Sequence, residues 1–378
     1  MRFRVASWRA SNRTNRTSRG HLNYMTETSD ENFTVWRSIL LIARHAPSPH
    51  NVQPWRVQLL SSHSAELFID GARTLPNEDT TGSFLLSAMG MFVEAIDLLA
   101  AQHGLRLESR LHATLDEFAA LVSRPNAPEL IPFAALNLVD APGAPIRYPT
   151  EIFLARRTSR VSLHPTPVPE ASVAKLTALA EAWGHRYTHL SGPETVEPIL
   201  AQNIDAVFHD MNLAHYHDEI TAWFRFTERQ TAEHRDGLDW RCMNLSRLEF
   251  WLSARMSKIL LFGPTRFFFK RRYRSQLGRV PAIGILSGDF FNPPGSIDCG
   301  RFLLRFWLEL TSLGLYLHPY GNLVTNPSAA EWLETRTAVP KAWLVFKIGY
   351  SDVPPPSQRR LLADILVSTT QPTPLTPP

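Results

Sequence analysis

The chain has 378 residues, of which 44% are hydrophobic, 20% charged and 10% aromatic, a composition that excludes disordered and fibrous classes and leaves room for two modest domains. Its 39 Lys+Arg against 35 Asp+Glu give a formal net charge of +4, but six arginines (Arg2, Arg4, Arg9, Arg13, Arg16 and Arg19) precede the first acidic residue, Glu27. From Met25 onward 33 basic residues face 35 acidic ones, so no nucleic-acid partner recruited by global charge is expected. The Arg-rich leader has no apolar core of a secretory signal; its composition suits a transit-type address, and the expectation is a disordered extension over residues 1–30 with Met25 as the functional start. No uninterrupted apolar stretch reaches the roughly 18 residues of a membrane span. Two cysteines, Cys242 and Cys299, are too few for a disulfide framework or a cysteine zinc site, and a cytoplasmic location is the expectation.

In chain order, the first helix is expected over Thr34 to Ala46, stopped by Pro47 and Pro49. The runs Arg56–Leu60 and Glu66–Ile69, either side of a Ser/His-rich turn, predict a hairpin. Leu85, Leu86, Met89, Phe92, Val93, Ile96 and Leu99 recur every three or four positions, which predicts a long one-faced helix from Gly82 to Gln102 with Gly104 as its C-cap. The pattern returns in Leu303, Phe306, Trp307, Leu310 and Leu313 before Gly314. At a constant offset of 210 the two segments match at six of 18 positions, among them Gly90 with Gly300, Phe92 with Phe302 and Gly104 with Gly314, which points to an internal duplication. The halves would be residues 31–145 and 150–366, joined by a Pro/Gly-rich linker near Pro142 to Pro149. The second half carries an insertion at about 205–280, and residues 367–378 form a Pro-rich tail.

The densest chemistry lies in Pro47-Ser48-Pro49-His50-Asn51-Val52-Gln53-Pro54-Trp55. A hydroxyl, an imidazole and two carboxamides between stiffening prolines suit recognition of a flat ligand with polar edges; the same residues also suit a turn in which Ser48 and Asn51 bond their own backbone. This segment resembles the flavin-contacting loop of the nitroreductase family of FMN enzymes, Pro-Ser-Ser/Gly-x-Asn-x-Gln-Pro-Trp. Arg156-Arg157-Thr158-Ser159-Arg160 resembles that family's Arg-Arg-Ser-x-Arg motif, whose guanidiniums and hydroxyl grip the FMN phosphate. Gly314 to Gly321 is similar to the segment that lies against the flavin, and Lys341 to Tyr350 with Ser357-Gln358-Arg359-Arg360 to the closing strand and its basic motif.

The resemblance covers roughly residues 32–366. It implies an α+β nitroreductase-like fold in which two related halves form an intrachain pseudo-dimer. Because the loop with Asn51 precedes the Arg157 motif, the order is similar to that of the Acg-type two-repeat branch, and one FMN per chain is expected. The implied cofactor residues are Ser48, His50, Asn51 and Gln53 at the ring edges, and Arg156, Arg157, Ser159, Arg160 and Arg360 at the phosphate. Pro319, Tyr320 and Gly321 would lie at the central ring, with backbone N–H groups toward N5. No acid or base is singled out. The implied activity is ping-pong transfer from NAD(P)H to a nitroaromatic, quinone or similar acceptor, by a monomer or homodimer. The insertion, with Phe250, Trp251, Phe262, Phe267, Phe268, Phe269 and Tyr273, would close over the flavin as a lid. A lid that shut out nicotinamide would make the protein an FMN-sequestering or sensing protein instead. A heterocycle-forming peptide oxidase, with a peptide-sized opening, is a third reading. His209, Asp210, His215, His217, Asp218 and Glu219 invite a metal, but His215 and His217 would diverge on a helix, and a solvated face is the expectation. Lys270 to Arg274 behind three phenylalanines read as lid packing with exposed charges rather than a membrane contact.

Overall fold

In the computed structural model, which describes residues 33–112, 130–255 and 264–367, the chain builds two four-stranded antiparallel sheets with helices between and around them. The strands in chain order are β1 (Trp55–Leu59), β2 (Ser64–Asp70), β3 (Leu105–Leu111), β4 (Leu130–Asp140), β5 (Arg186–Ser191), the short β6 (Phe224–Arg225) and β7 (Leu238–Asp239), β8 (Ala282–Ser287), β9 (Tyr316–Pro319) and β10 (Ala342–Gly349). The first sheet has the order β1-β2-β4-β3 and the second β5-β8-β10-β9. These orders are the same: in each, the third strand in chain order follows a long helix and ends up at the edge, outside the fourth. The expected leader, including Met25, and the expected tail from residue 368 on lie outside the described residues.

Local chemistry explains the boundaries. The first helix runs Thr34–Ala43, three residues shorter than expected, because Ala46 precedes Pro47 and is steered out of the α region; the chain tightens through His45 N to Ile42 O at 2.9 Å and Ala46 N to Ala43 O at 2.8 Å. The hairpin between β1 and β2 closes through Ser61, whose Oγ accepts from the backbone N of Ser64 at 3.0 Å. Helix Ser83–Ala100 begins where the Asp79 carboxylate accepts from the N–H groups of Phe84 and Leu85 at 3.2 and 2.8 Å, and a 3-10 turn then leads to Gly104 at φ 70°. Helix Pro293–Ser312 starts behind Asn292, whose side chain caps Gly295 N at 2.9 Å, with Pro293 and Pro294 in the first turn, and is followed by Gly314 at φ 72°.

These two long helices pack on each other at the centre of the molecule, and the offset of 210 becomes geometry. A β-carbon on Gly90 would stand 2.3 Å from Ile297 O, and one on Gly300 would stand 2.1 Å from Ser87 O. Residue 297 is 87 plus the offset, so the two contacts exchange under a pseudo-two-fold axis, the arrangement of an isologous dimer interface within one chain. Helix Ser83–Ala100 is long and apolar enough to cross a membrane, yet 16 of its 18 residues are buried in the protein. Its Glu94 is fully buried between Arg301 and Arg305 of the partner helix, with Arg301 Nε 2.7 Å away. One core runs through both halves, from Trp36 and the stacked pair Trp55 and Phe92 (centroids 4.7 Å apart) to Phe302, Phe306 and Trp343.

The Pro/Gly-rich stretch near 142–149 joins β4 to helix Thr150–Ala155. The insertion leaves the second sheet after β5 and returns at β8, so it starts earlier than the sequence suggested, with helix Pro193–Asp210. Beyond that come helices Ala214–Ala222, Glu228–His234, Arg247–Arg255 and Pro264–Leu277, and a small core of its own from Tyr216, Ile220, Phe224, Leu238 and Phe250. After β10 the chain crosses back to the first sheet, where Val367 N bonds Val57 O at 2.8 Å along β1.

Candidate functional site

Between the halves and under the insertion lies a cavity of about 910 Å³, near the upper end for small-molecule and cofactor sites. It is lined from the first half by residues 47–51 and Glu78, from the second by residues 156–158, Arg160 and 318–322, and from the C-terminal crossing by Ser357 and Arg359.

The loop Pro47–Trp55 is held in an unusual backbone. His50, Asn51 and Gln53 have φ of 44°, 57° and 52°, left-handed values that cost non-glycine residues energy and persist where the surroundings impose them. The impositions are visible. Ser48 Oγ accepts from Gln53 N at 3.0 Å, Asn51 Nδ2 donates to Gly237 O at 3.2 Å and Gln358 O at 3.0 Å, and Arg359 Nη1 donates to Asn51 Oδ1 at 2.8 Å. The first half, the insertion and the C-terminal segment therefore meet on Asn51.

Beside that loop, Arg156, Arg157 and Arg359 gather, and none of the three forms an ion pair among the described residues. Burial, then the neighbouring guanidiniums of Arg359 and Arg157, push Arg156 down to about 9; burial foremost brings Arg359 to about 10, with Arg44 and Arg157 adding to it. Arg156 lies over the Trp307 ring at 4.6 Å and donates to His45 O at 3.1 Å. His45 is pushed down to about 3 by burial and by these same arginines, so it stays neutral. A desolvated cluster of like charges without counter-charge fits an anion. Buried polar atoms on the same cavity wait for partners: Arg359 Nε, His318 Nδ1 and Tyr320 Oη have none among the described residues.

Elsewhere on the wall, His50 Nε2 meets the Glu78 carboxylate in a short contact. Burial alone would lower His50, but the Glu78 charge and hydrogen bond outweigh it and raise the imidazole above its ordinary value. Glu78 N and Asn77 N are in turn held by the Glu219 carboxylate at 2.9 Å each, and Tyr216 Oη lies 3.2 Å from Asn322 Nδ2. Asp79, buried behind them, is pushed up to about 6 by desolvation against its backbone hydrogen bonds.

Of the twelve residues expected from the sequence, nine line this cavity: Ser48, His50, Asn51, Arg156, Arg157, Arg160, Pro319, Tyr320 and Gly321. Three do not. Gln53 is fully buried and serves as a strut, taking Arg360 N on Oε1 at 2.9 Å and giving Nε2 to Arg235 O at 3.0 Å. Ser159 pairs with β9 through its N and Leu317 O at 2.9 Å; in that extended stretch Thr158 and Arg160 face the cavity, and Ser159 turns the other way to Ser351 Oγ at 3.0 Å. Arg360 points into the first half, donating to Gln53 O at 3.3 Å and Asp364 O at 2.7 Å, while its neighbour Arg359 takes the cavity side. The N–H of Tyr320 is also engaged, by Val345 O at 2.7 Å, whereas a β-carbon at Gly321 would meet nothing within 4 Å. Sequence reasoning passed over His45, Glu78 and Tyr216, which carry no local motif, and did not single out His318 within the Gly314 to Gly321 segment; the fold brings all four to the cavity wall. Of the expected lid residues, Phe268, Phe269 and Tyr273 line the cavity and Phe250 is buried in the insertion; Trp251 and Phe267 are exposed, and Phe262 lies outside the described residues. Glu219, weighed as a metal ligand, instead anchors the insertion to residues 77 and 78.

The fold and site thus define an α+β pseudo-dimer with a cationic cavity at the junction of its halves. No family model matches the chain. Among curated proteins it is 26% identical over 314 residues to a probable NAD(P)H nitroreductase, PigM, of Serratia sp., covering 76% of this chain and 80% of that one. It is 27% identical over 190 residues, half of each chain, to a putative NAD(P)H nitroreductase of Mycobacterium tuberculosis, and 23% identical over 350 residues to an uncharacterized protein of the same organism, covering 87% and 92%. Among solved structures, the FMN and NADPH-dependent nitroreductase NfnB of a Sphigopyxis strain aligns with 59% of this chain and 99% of its own at 15% identity and a TM-score of 0.37, and a nitroreductase with bound FMN from Bacteroides fragilis with 60% and 97% at 16% and 0.33. The chain is thus similar, at 26% and 27% identity, to curated proteins described as nitroreductases.

Proposed function

We propose that the cavity holds FMN and that the protein is an FMN-dependent oxidoreductase of the two-repeat branch, carrying electrons from NAD(P)H to a nitroaromatic, quinone or similar small acceptor. The observation that carries this reading is the cluster of buried Arg156 and half-buried Arg157 and Arg359, with no ion pair among the described residues, beside the strained loop with His50 and Asn51. A phosphate dianion would relieve their mutual repulsion and give Arg359 Nε its missing partner. Ser48 and Asn51 would lie at the ring edges and Gly321 at the ring face. Bound there, the flavin supplies the two-electron chemistry, and the protein supplies position and electrostatics. Phe269 and Tyr273 would lie on the apolar side, and Glu78 beside His50 favours the protonated imidazole. The names of the curated relatives support the same activity.

The test is an absorbance spectrum of the purified protein followed by anaerobic addition of NADPH and then NADH. Flavin bands that bleach are the expected result; failure to take up FMN on reconstitution overturns the cofactor. Bands that persist favour the second reading, an FMN-sequestering protein, which is supported by the direct tie between Asn51 and Gly237 of the insertion.

A further inference from the structure

The outer face of the insertion carries apolar side chains that the protein leaves uncovered. Phe267 is 74% exposed, Leu248 65% and Trp251 44%. They belong to adjoining helices, Arg247–Arg255 and Pro264–Leu277, which are tied together by the pair Arg272 and Glu249. The second of these helices is strongly cationic. Helix Pro264–Leu277 contains Arg266, Lys270, Arg271, Arg272 and Arg274 and no acidic residue, in a chain that is net acidic from Met25 onward. Lys270, Arg272 and Arg274 are neutralised within the insertion by Asp205, Glu249 and Glu197, but the exposed Arg255 and Arg271 have no ion pair among the described residues.

We propose that this face, with Phe267, Leu248 and Trp251 as its apolar anchors and Arg255 and Arg271 as its cations, docks on an anionic lipid surface. Aromatic and aliphatic side chains set among arginines suit the boundary between acyl chains and acidic headgroups, where burial of apolar surface and attraction to the headgroups add. A second copy of the chain is a poor occupant, because a two-fold contact would bring together two copies of a patch whose unpaired charges, Arg255 and Arg271, are all positive. The inference is independent of what the cavity binds.

The experiment is co-sedimentation of the full-length protein with vesicles of pure phosphatidylcholine and of phosphatidylcholine with phosphatidylglycerol. Binding to the phosphatidylglycerol vesicles alone, weakened by salt, is expected, with at least a tenfold loss in the double variants Phe267→Ser/Trp251→Ser and Arg255→Glu/Arg271→Glu. Both variants retain the arginine-rich leader, so unchanged binding by them assigns the attraction to another part of the chain and overturns the proposal. Failure of the wild type to sediment with phosphatidylglycerol vesicles at low salt overturns it as well. Circular dichroism and thermal melting of each variant establish that it is folded, and the single variant Phe267→Ser, at the most exposed site, gives the same reading if a double variant is not.

Discussion

At the scale of single residues, Arg359 and Arg360 separate what sequence conveys from what the fold decides. Adjacent residues in an extended segment face opposite ways, so one arginine of the pair had to face the cavity and the other the body; nothing local says which. The crossing from β10 back to β1 sets the answer: Arg359 reaches Asn51, and Arg360 is spent on Gln53 and Asp364. Substitution should separate the two roles. Arg359→Ala is expected to weaken FMN retention at least tenfold in equilibrium dialysis, a loss of about 1.4 kcal/mol or more. Arg360→Ala should instead lower stability by about 1–3 kcal/mol in denaturant titration, because it leaves the buried Gln53 carbonyl unpaired, and should alter retention less. Equal effects of the two on retention would return Arg360 to the cavity. His50 makes a different prediction, on pH. Its folded value is raised by Glu78, so its pairing stabilises the fold fully below the unfolded value near 6.5 and is lost as pH rises through the raised one. The melting-temperature gap between wild type and His50→Gln should therefore be widest in mildly acidic buffer and narrow above neutrality; a gap that grows with pH contradicts the assignment. The Pro-Ser-x-His-Asn loop was legible because its chemistry is local, whereas Glu78 and Tyr216 come from distant segments with no spacing rule.

At the scale of elements, the long helices were legible because a repeat of apolar residues every three or four positions is a property of one segment, and so were their glycine ends at Gly104 and Gly314. The match of Gly90 with Gly300 was also visible in sequence, but its reason was not: each glycine admits the backbone of the other helix. Gly90→Ala and Gly300→Ala should each destabilise by about 1–3 kcal/mol, the usual cost of overpacking, since the obstructing atoms are backbone carbonyls that cannot swing aside. The double variant should cost less than the sum, because helices already forced apart by one methyl leave room for the other. Thermal or urea unfolding of the three variants measures this, and strict additivity would mean that the two contacts are not coupled across the pseudo-two-fold.

At the scale of the whole molecule, the insertion was legible as extra sequence, but its anchors were not, because they are residues of ordinary type that find partners across the chain. Chief among them is Asp236, buried, which takes Arg73 Nη1 of the first half at 2.7 Å and Arg225 Nη2 of the insertion at 2.6 Å. The next residue, Gly237, is the one that receives the Asn51 side chain, so the ion triad and the cavity loop meet at two adjacent residues. Removing one member of a buried charge network costs about 3–5 kcal/mol where the partners stay buried; if the insertion is a lid, its lifting would let water reach Arg73 and Arg225 and spare most of that cost. Asp236→Asn is therefore expected to leave global unfolding little changed, to raise proteolytic nicking between β6 and β7, and to speed release of bound FMN at least tenfold, followed as the return of free-flavin fluorescence after dilution. If the insertion is a clamp, these two local readouts rise together. If release and nicking stay at wild-type rates while global stability falls by the full cost of the broken network, Asp236 is a strut of the folded body and the insertion is no lid.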